Sequence, residues 1–116
     1  MLYTDYQTTF TTAFVEFRET LTESRMAFID FEISRDEEYF QDFVLQTIRL
    51  RKIYEKLYES DIHTDFLQPK VETIYDLIQD NVEAVRNFEP KVTNKISRLQ
   101  EEMNYYMNHF EALIQK

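Results

Sequence analysis

The sequence predicts an all-α protein: an antiparallel helical bundle or a long helical hairpin of about four helical segments, with a coiled-coil-like C-terminal half. Three observations predict it. None of the 116 residues is Gly, only Pro69 and Pro90 interrupt the chain, and apolar residues recur at three- and four-residue spacing over most of its length. Gly is the default wherever the backbone takes positive φ, and two-residue β-hairpins lean on Asn-Gly, Asp-Gly or Gly-X turns. A chain without Gly is a poor candidate for sheet and a good one for long helices. Hydrophobic residues make up 43% of the chain, with ten Phe and eight Tyr, enough apolar area for one core in a single domain spanning residues 1–116.

The first segment spans about residues 4–27. Thr4 and Gln7 fit a capping box, and Tyr3, Tyr6, Phe10, Ala13, Phe14, Phe17 and Leu21 follow at helical spacing. Residues 29–34, Ile-Asp-Phe-Glu-Ile-Ser, alternate apolar and polar instead, a pattern that a helix spreads around its circumference. A short break is expected there. Ser34 and Glu37 form a second capping box, opening a segment over residues 35–60 whose apolar positions are Phe40, Phe43, Val44, Leu50, Tyr54 and Leu57. Arg49, Arg51, Lys52 and Lys56 gather toward its end, where the helix dipole favours cations. Residues 60–68 read as a loop, and Pro69 suits the first turn of the next helix.

From Val71 onward a single seam runs through Val71, Tyr75, Ile78, Val82, Val85, Glu89, Val92, Ile96, Leu99, Met103, Tyr106, Phe110 and Leu113. Twelve of these thirteen positions are apolar, which amounts to six heptads in one phase. Pro90 stands beside Glu89, the one polar member, and an interior Pro removes a backbone bond and clashes with the preceding turn. Unbroken phase favours a kink in one helix; the polar Glu89, with Asn87 able to end a helix, favours a turn between segments 69–87 and 90–115. Two architectures follow, a compact four-helix bundle or two long arms joined at residues 60–68. The bulk of Tyr75, Tyr106 and Phe110 favours the first, while the lack of Gly at helix ends favours the second.

The formal charge is −9 and uneven: residues 1–48 hold ten acids against three bases, a net −7, and residues 49–116 hold twelve against ten, a net −2. Such a chain repels phosphate backbones and anionic lipids at long range, so a protein partner is expected and nucleic acid is not. Without Cys there is no disulfide framework, thiolate nucleophile or Cys-based zinc site. No apolar run approaches the roughly 18 residues of a membrane span. The start lacks the pattern of a cleaved signal peptide, so the cytoplasm is expected, with signal-independent export as the other route.

Enzymatic sites find little support. Phosphate-cradling loops and EF-hands need Gly at fixed positions, and oxyanion holes are commonly built on Gly-rich turns. Neither His63 nor His109 follows a Glu three residues earlier, so the di-iron pattern is missing. Asp61, His63 and Asp65 alternate in the loop, where solvated turn residues are the simpler reading. No catalytic, cofactor or metal residue is assigned. The candidate sites are two: the seam from Val71 to Leu113, as a face for pairing with another helix, and the acidic patch Asp36, Glu37, Glu38 and Asp42. Those acids sit where a helix dipole stabilises negative charge, but together with Glu16, Glu19, Glu23, Asp30 and Glu32 they could also mimic spaced phosphates. Arg49, Lys52 and Lys56 share a solvated face, and Tyr39, Tyr58 and Tyr105 fall outside the apolar stripes, as interface tyrosines often do.

In general build, an acidic helical chain of about a hundred residues without Cys resembles the small helical partner proteins that accompany cargo in type VII secretion. The Trp-x-Gly class of that group carries its motif at a hairpin turn, and this chain has neither Trp nor Gly. The function expected is therefore a non-enzymatic interaction module, an accessory or chaperone-like partner of a larger helical protein, by hetero- or homo-oligomerisation, with effector targeting in a type VII-like pathway as the form the resemblance implies. The alternative is an acidic, DNA-mimicking inhibitor of the phage or immunity kind, which occupies a basic nucleic-acid-binding cleft.

Overall fold

The computed structural model describes the backbone of residues 2–58 and 66–114 and the side chains of residues 12–57 and 66–109. Five helices follow one another among them: α1 (Leu2–Ser34), α2 (Glu37–Tyr58), α3 (Leu67–Asp80), α4 (Val82–Arg86) and α5 (Pro90–Ile114). The pairing of side chains shows how they run. Phe31 meets Phe40 and Phe28 meets Phe43 near one end, while Glu16 pairs with Lys56 toward the other, so α2 returns along α1. Arg51 with Glu72 sets α3 against α2, and Phe66 with Tyr106 together with Lys70 with Glu102 turns α5 back along α3. Gln100 reaches Ser24, which joins α5 to α1 and closes the ring.

The overall dimensions are 50 × 22 × 22 Å, and α1 with its 33 residues is about 50 Å long by itself. The compact bundle is therefore the architecture. Two extended arms would reach well beyond that length. One apolar cluster runs through the whole bundle, from Ala13, Phe17 and Leu21 through Phe43 and Leu50 to Val71, Ile74, Ile96, Met103 and Met107.

At two reversals among the described residues the chain turns without Gly by putting larger residues into the left-handed region. Arg35 (φ 60°) ends α1, its N–H donating to Phe31 O at 2.8 Å, an αL cap. Phe88 (φ 53°) ends α4 in a Schellman motif: Phe88 N–H donates to Val85 O at 3.0 Å and Glu89 N–H to Ala84 O at 2.9 Å. Asn87, the residue expected to leave the right-handed region, stays in it at φ −86°. Glu89 then caps α5, its carbonyl accepting from the N–H of Val92 and of Thr93, and Pro90 opens the helix where its missing N–H costs nothing. The segment between the two seam halves is thus a turn, and Glu89 is polar because it lies there, exposed.

Several expected boundaries move. The break at residues 29–34 does not occur, because α1 runs unbroken to Ser34. The helix is already under way at Thr4, so that residue does not start it; its side chain, like those of Tyr3, Tyr6 and Phe10, lies outside the described residues. At the next turn Asp36, not Ser34, caps α2: Asp36 Oδ1 accepts from Glu38 N–H at 3.0 Å. Ser34 belongs to the end of α1, where its hydroxyl donates to Asp30 O at 2.8 Å and accepts from Asp36 N–H at 3.1 Å. The single helix expected over 69–87 is interrupted at Asn81, whose φ of −133° offsets α3 from α4 without reversing the chain. Pro69 does sit in the first turn of α3, as expected.

Candidate protein-binding face

The seam does not provide an outer face. Because the chain turns back at residues 87–89, its two halves lie on antiparallel helices that both look into the bundle. Val71, Ile78, Val85, Val92, Ile96, Leu99 and Met103 are buried, and Tyr75, Val82 and Tyr106 are partly so. Phe110 and Leu113 have side chains outside the described residues. The apolar surface of the described seam residues is thus largely taken up by the chain's own core.

Most of the acidic patch is likewise occupied. Asp36 caps α2, Glu37 pairs with Arg86 and accepts from Gln41 Nε2 at 3.1 Å, and Asp42 accepts from Gln46 Nε2 at 2.9 Å. Only Glu38 of the four makes no side-chain bond or ion pair among the described residues. Arg86 also lies 4.5 Å above the Phe40 ring, so its cationic charge sits inside the patch and reduces its field. Of the basic face, Lys56 pairs with Glu16 at 3.7 Å, while Arg49 and Lys52 are exposed. Arg51 makes the closer contact: it donates to Glu72 Oε1 at 3.2 Å and stacks 3.9 Å above Tyr75, and the Glu72 hydrogen bond raises its already high pKa.

Asp61, His63 and Asp65 lie outside the described residues, as does the Tyr58 side chain. No group of three potential metal ligands occurs among those described. His109 is exposed and stacks on Tyr105, the ring centroids 6.4 Å apart.

What stands out is a stripe on α1 that the sequence pattern concealed. Met26 is 58% exposed, Ile29 51% and Ile33 78%, three large apolar residues at spacings of three and four on one face of the helix. Phe17, Leu21, Ser24, Phe28 and Phe31 lie on the opposite, buried face at the same spacing. The alternation through residues 29–33 is the trace of a helix with apolar residues on both sides: Phe31 points to the core, Ile29 and Ile33 away from it. A helical wheel drawn through that alternation would have found the stripe.

Carboxylates border it. Glu19, Glu23 and Asp30 follow along one flank, and Arg18, Arg25 and Glu32 along the other. Glu19 and Glu23 also line a shallow polar groove against Asn104 and Asn108 of α5. Of the off-seam tyrosines, Tyr39 and Tyr105 are exposed, Tyr105 at 75%. Phe66, also exposed, is held in place by stacking on Tyr106 at 4.9 Å and by Lys70 at 4.2 Å above its ring. No helix among the described residues is long and apolar enough to cross a membrane.

No family model, curated protein or solved structure matches this chain.

Proposed function

We propose that the protein is a non-enzymatic helical binding module, an accessory partner that a larger helical protein holds against its outer surface. The observation that carries the reading is the stripe Met26, Ile29 and Ile33, placed outward on a helix whose inner face already completes the core. Burying a Met or Ile side chain that water now covers is worth roughly 1.5–3 kcal/mol, and nothing among the described residues claims that gain. Large apolar residues that cluster outside a complete core mark interaction surfaces more often than accidents of composition. An accessory role in escorting cargo, of the type VII-like kind, suits the acidic, Cys-free helical build. The acidic-inhibitor alternative has less support, because Asp36, Glu37 and Asp42 each have a structural task and Arg86 sits among them.

Co-expression with the products of neighbouring genes, followed by size exclusion and native mass spectrometry, tests this reading. A stoichiometric complex with a helical protein supports it. A chain that remains monomeric and alone with every neighbour argues against it.

A further inference from the structure

We propose that the outer face of α1 binds an amphipathic helix of a partner protein that carries Lys or Arg along the border of its apolar stripe facing Glu19, Glu23 and Asp30, and not a second copy of this chain. The inference rests on the binding-module reading and adds the surface and the chemistry of the occupant.

Shape comes first. Met26, Ile29 and Ile33 form a ridge covering two turns, about 10 Å, and the carboxylates from Glu19 onward extend the face to about 20 Å. A ridge of this width fits the apolar stripe of one helix, which presents residues at the same three- and four-residue spacing.

Charge then selects the partner. Glu19, Glu23 and Asp30 run along one flank without an ion pair among the described residues, so cations on a partner helix would meet unspent carboxylates there. The surrounding field points the same way, since residues 1–48 carry ten acids against three bases.

The same charges disfavour a second copy. In a two-fold antiparallel pair each flank faces its own counterpart, which sets Glu19, Glu23 and Asp30 against Glu19, Glu23 and Asp30. A parallel pair avoids that but lays two acidic N-terminal halves, each of net charge −7, side by side. A parallel pair would also set Glu19, Glu23 and Asp30 near Arg18 and Arg25 of the other copy, but that local gain works against the repulsion of the two acidic halves, whereas a basic partner helix is attracted by both the acidic flank and the surrounding field.

Two synthetic helical peptides test the proposal. Both carry Leu at positions spaced three and four apart; one has Lys along one border of that stripe and the other has Glu at the same positions. Each is titrated into the full chain and followed by fluorescence anisotropy, with amide chemical shifts mapping the contact. The Lys-bordered peptide should bind at least tenfold more tightly than the Glu-bordered one, weaken as salt is raised, and shift amides between Glu19 and Ile33. Ile29→Gln with Ile33→Gln, on the face away from the core, should cost at least tenfold in affinity while the circular dichroism spectrum stays unchanged. If both peptides bind equally and both are lost in that variant, the charge selection is overturned while the binding-module reading stands. If the variant leaves Lys-peptide binding intact, or the shifts fall elsewhere, this face is overturned as the site. If neither peptide binds, the surface proposal is overturned; the module reading falls with it only when co-expression also yields no complex. Reversible dimerisation seen by sedimentation and lost in the same variant would assign the face to a second copy and overturn the proposal.

Discussion

The Arg35 guanidinium lies 5.0 Å from the centroid of the Phe88 ring, and these two residues are the ones with positive φ among the described residues. The turn after α1 and the turn after α4 are thereby fastened to each other at one end of the bundle. Arg35 Nη1 also donates to Arg86 O at 3.4 Å, and Phe88 packs between Phe28 and Phe31, with ring centroids at 4.8 and 5.7 Å. A left-handed conformation costs a residue with a Cβ about 1–2 kcal/mol. At Phe88 the aromatic packing offsets that cost; at exposed Arg35 a cation–π contact of about 0.5–1 kcal/mol offsets only part of it.

Glycine substitutions separate the two cases. Arg35→Gly removes strain and a weak contact together, so its stability should stay within about 1 kcal/mol of the parent, and above that of Arg35→Ala, which keeps the strain and loses the contact. Phe88→Gly relieves the same strain but empties an aromatic site, and should lose about 2 kcal/mol net. Urea unfolding of the three variants checks the order; equal losses at the two positions would mean that packing does not hold the Phe88 turn.

Asp36 and Glu38 are adjacent acids with different tasks, and the cap at Asp36 predicts different outcomes. Asp36→Ala should lower stability by about 1 kcal/mol, because Glu38 N–H loses its side-chain acceptor, whereas Glu38→Ala should change it by less than about 0.5 kcal/mol. Thermal melts followed by circular dichroism measure both. If the patch served mainly as a phosphate mimic, the two substitutions would be equally silent in folding.

The number and phase of the long helices could be read from the sequence because burial imposes a three- and four-residue rhythm that no tertiary context erases: Phe17, Leu21, Phe43, Leu50, Ile96 and Met103 are all core positions. The turns were harder to read. Turn signals in sequence are mostly statements about Gly, and here Arg35 and Phe88 take the positions Gly would hold, made tolerable by contacts across the bundle that no local window contains. The seam from Val71 to Leu113 kept one phase through Phe88 and Pro90 because both helices face the same core, so periodicity alone could not distinguish a kink from a reversal. Asn81 escaped for a related reason, since the apolar phase from Ile78 to Val85 passes through the break undisturbed. The outward apolar stripe on α1 is hidden in a linear reading because one helix carries two apolar sides, Phe31 inward and Ile33 outward, a pattern that resembles a strand.

Inside the bundle, Gln100 Nε2 donates to Ser24 Oγ at 3.1 Å, a buried polar pair joining α5 to α1. Gln100→Leu removes the donor and leaves the Ser24 hydroxyl without it, and should cost about 1–3 kcal/mol. Adding Ser24→Ala should recover part of that loss, since both polar partners are then replaced by apolar groups. A double-mutant cycle from urea melts measures the coupling, and simple additivity of the two losses would show that the pair makes no joint contribution.

Across the bundle, Lys70 and Glu102 join α3 to α5, and the hydrogen bond from Lys70, with a smaller contribution from Arg98, holds the Glu102 carboxyl below its ordinary value of 4.5. A carboxylate whose pKa is lowered by folding stabilises the folded state above its unfolded pKa, and that contribution disappears as pH falls through the lowered, folded value. Glu102 is 43% exposed, so solvent and salt screen the effect. Lys70→Met should return the carboxyl toward its ordinary value, visible as an upward shift in its NMR titration midpoint. The melting temperatures of the parent and of Lys70→Met should accordingly differ most near neutral pH, with the gap narrowing in acid as Glu102 protonates in both. A gap that stayed constant through the carboxylate range would trace the loss to the packing of the Lys70 stem on Phe66, 4.2 Å from its ammonium, and not to the ion pair.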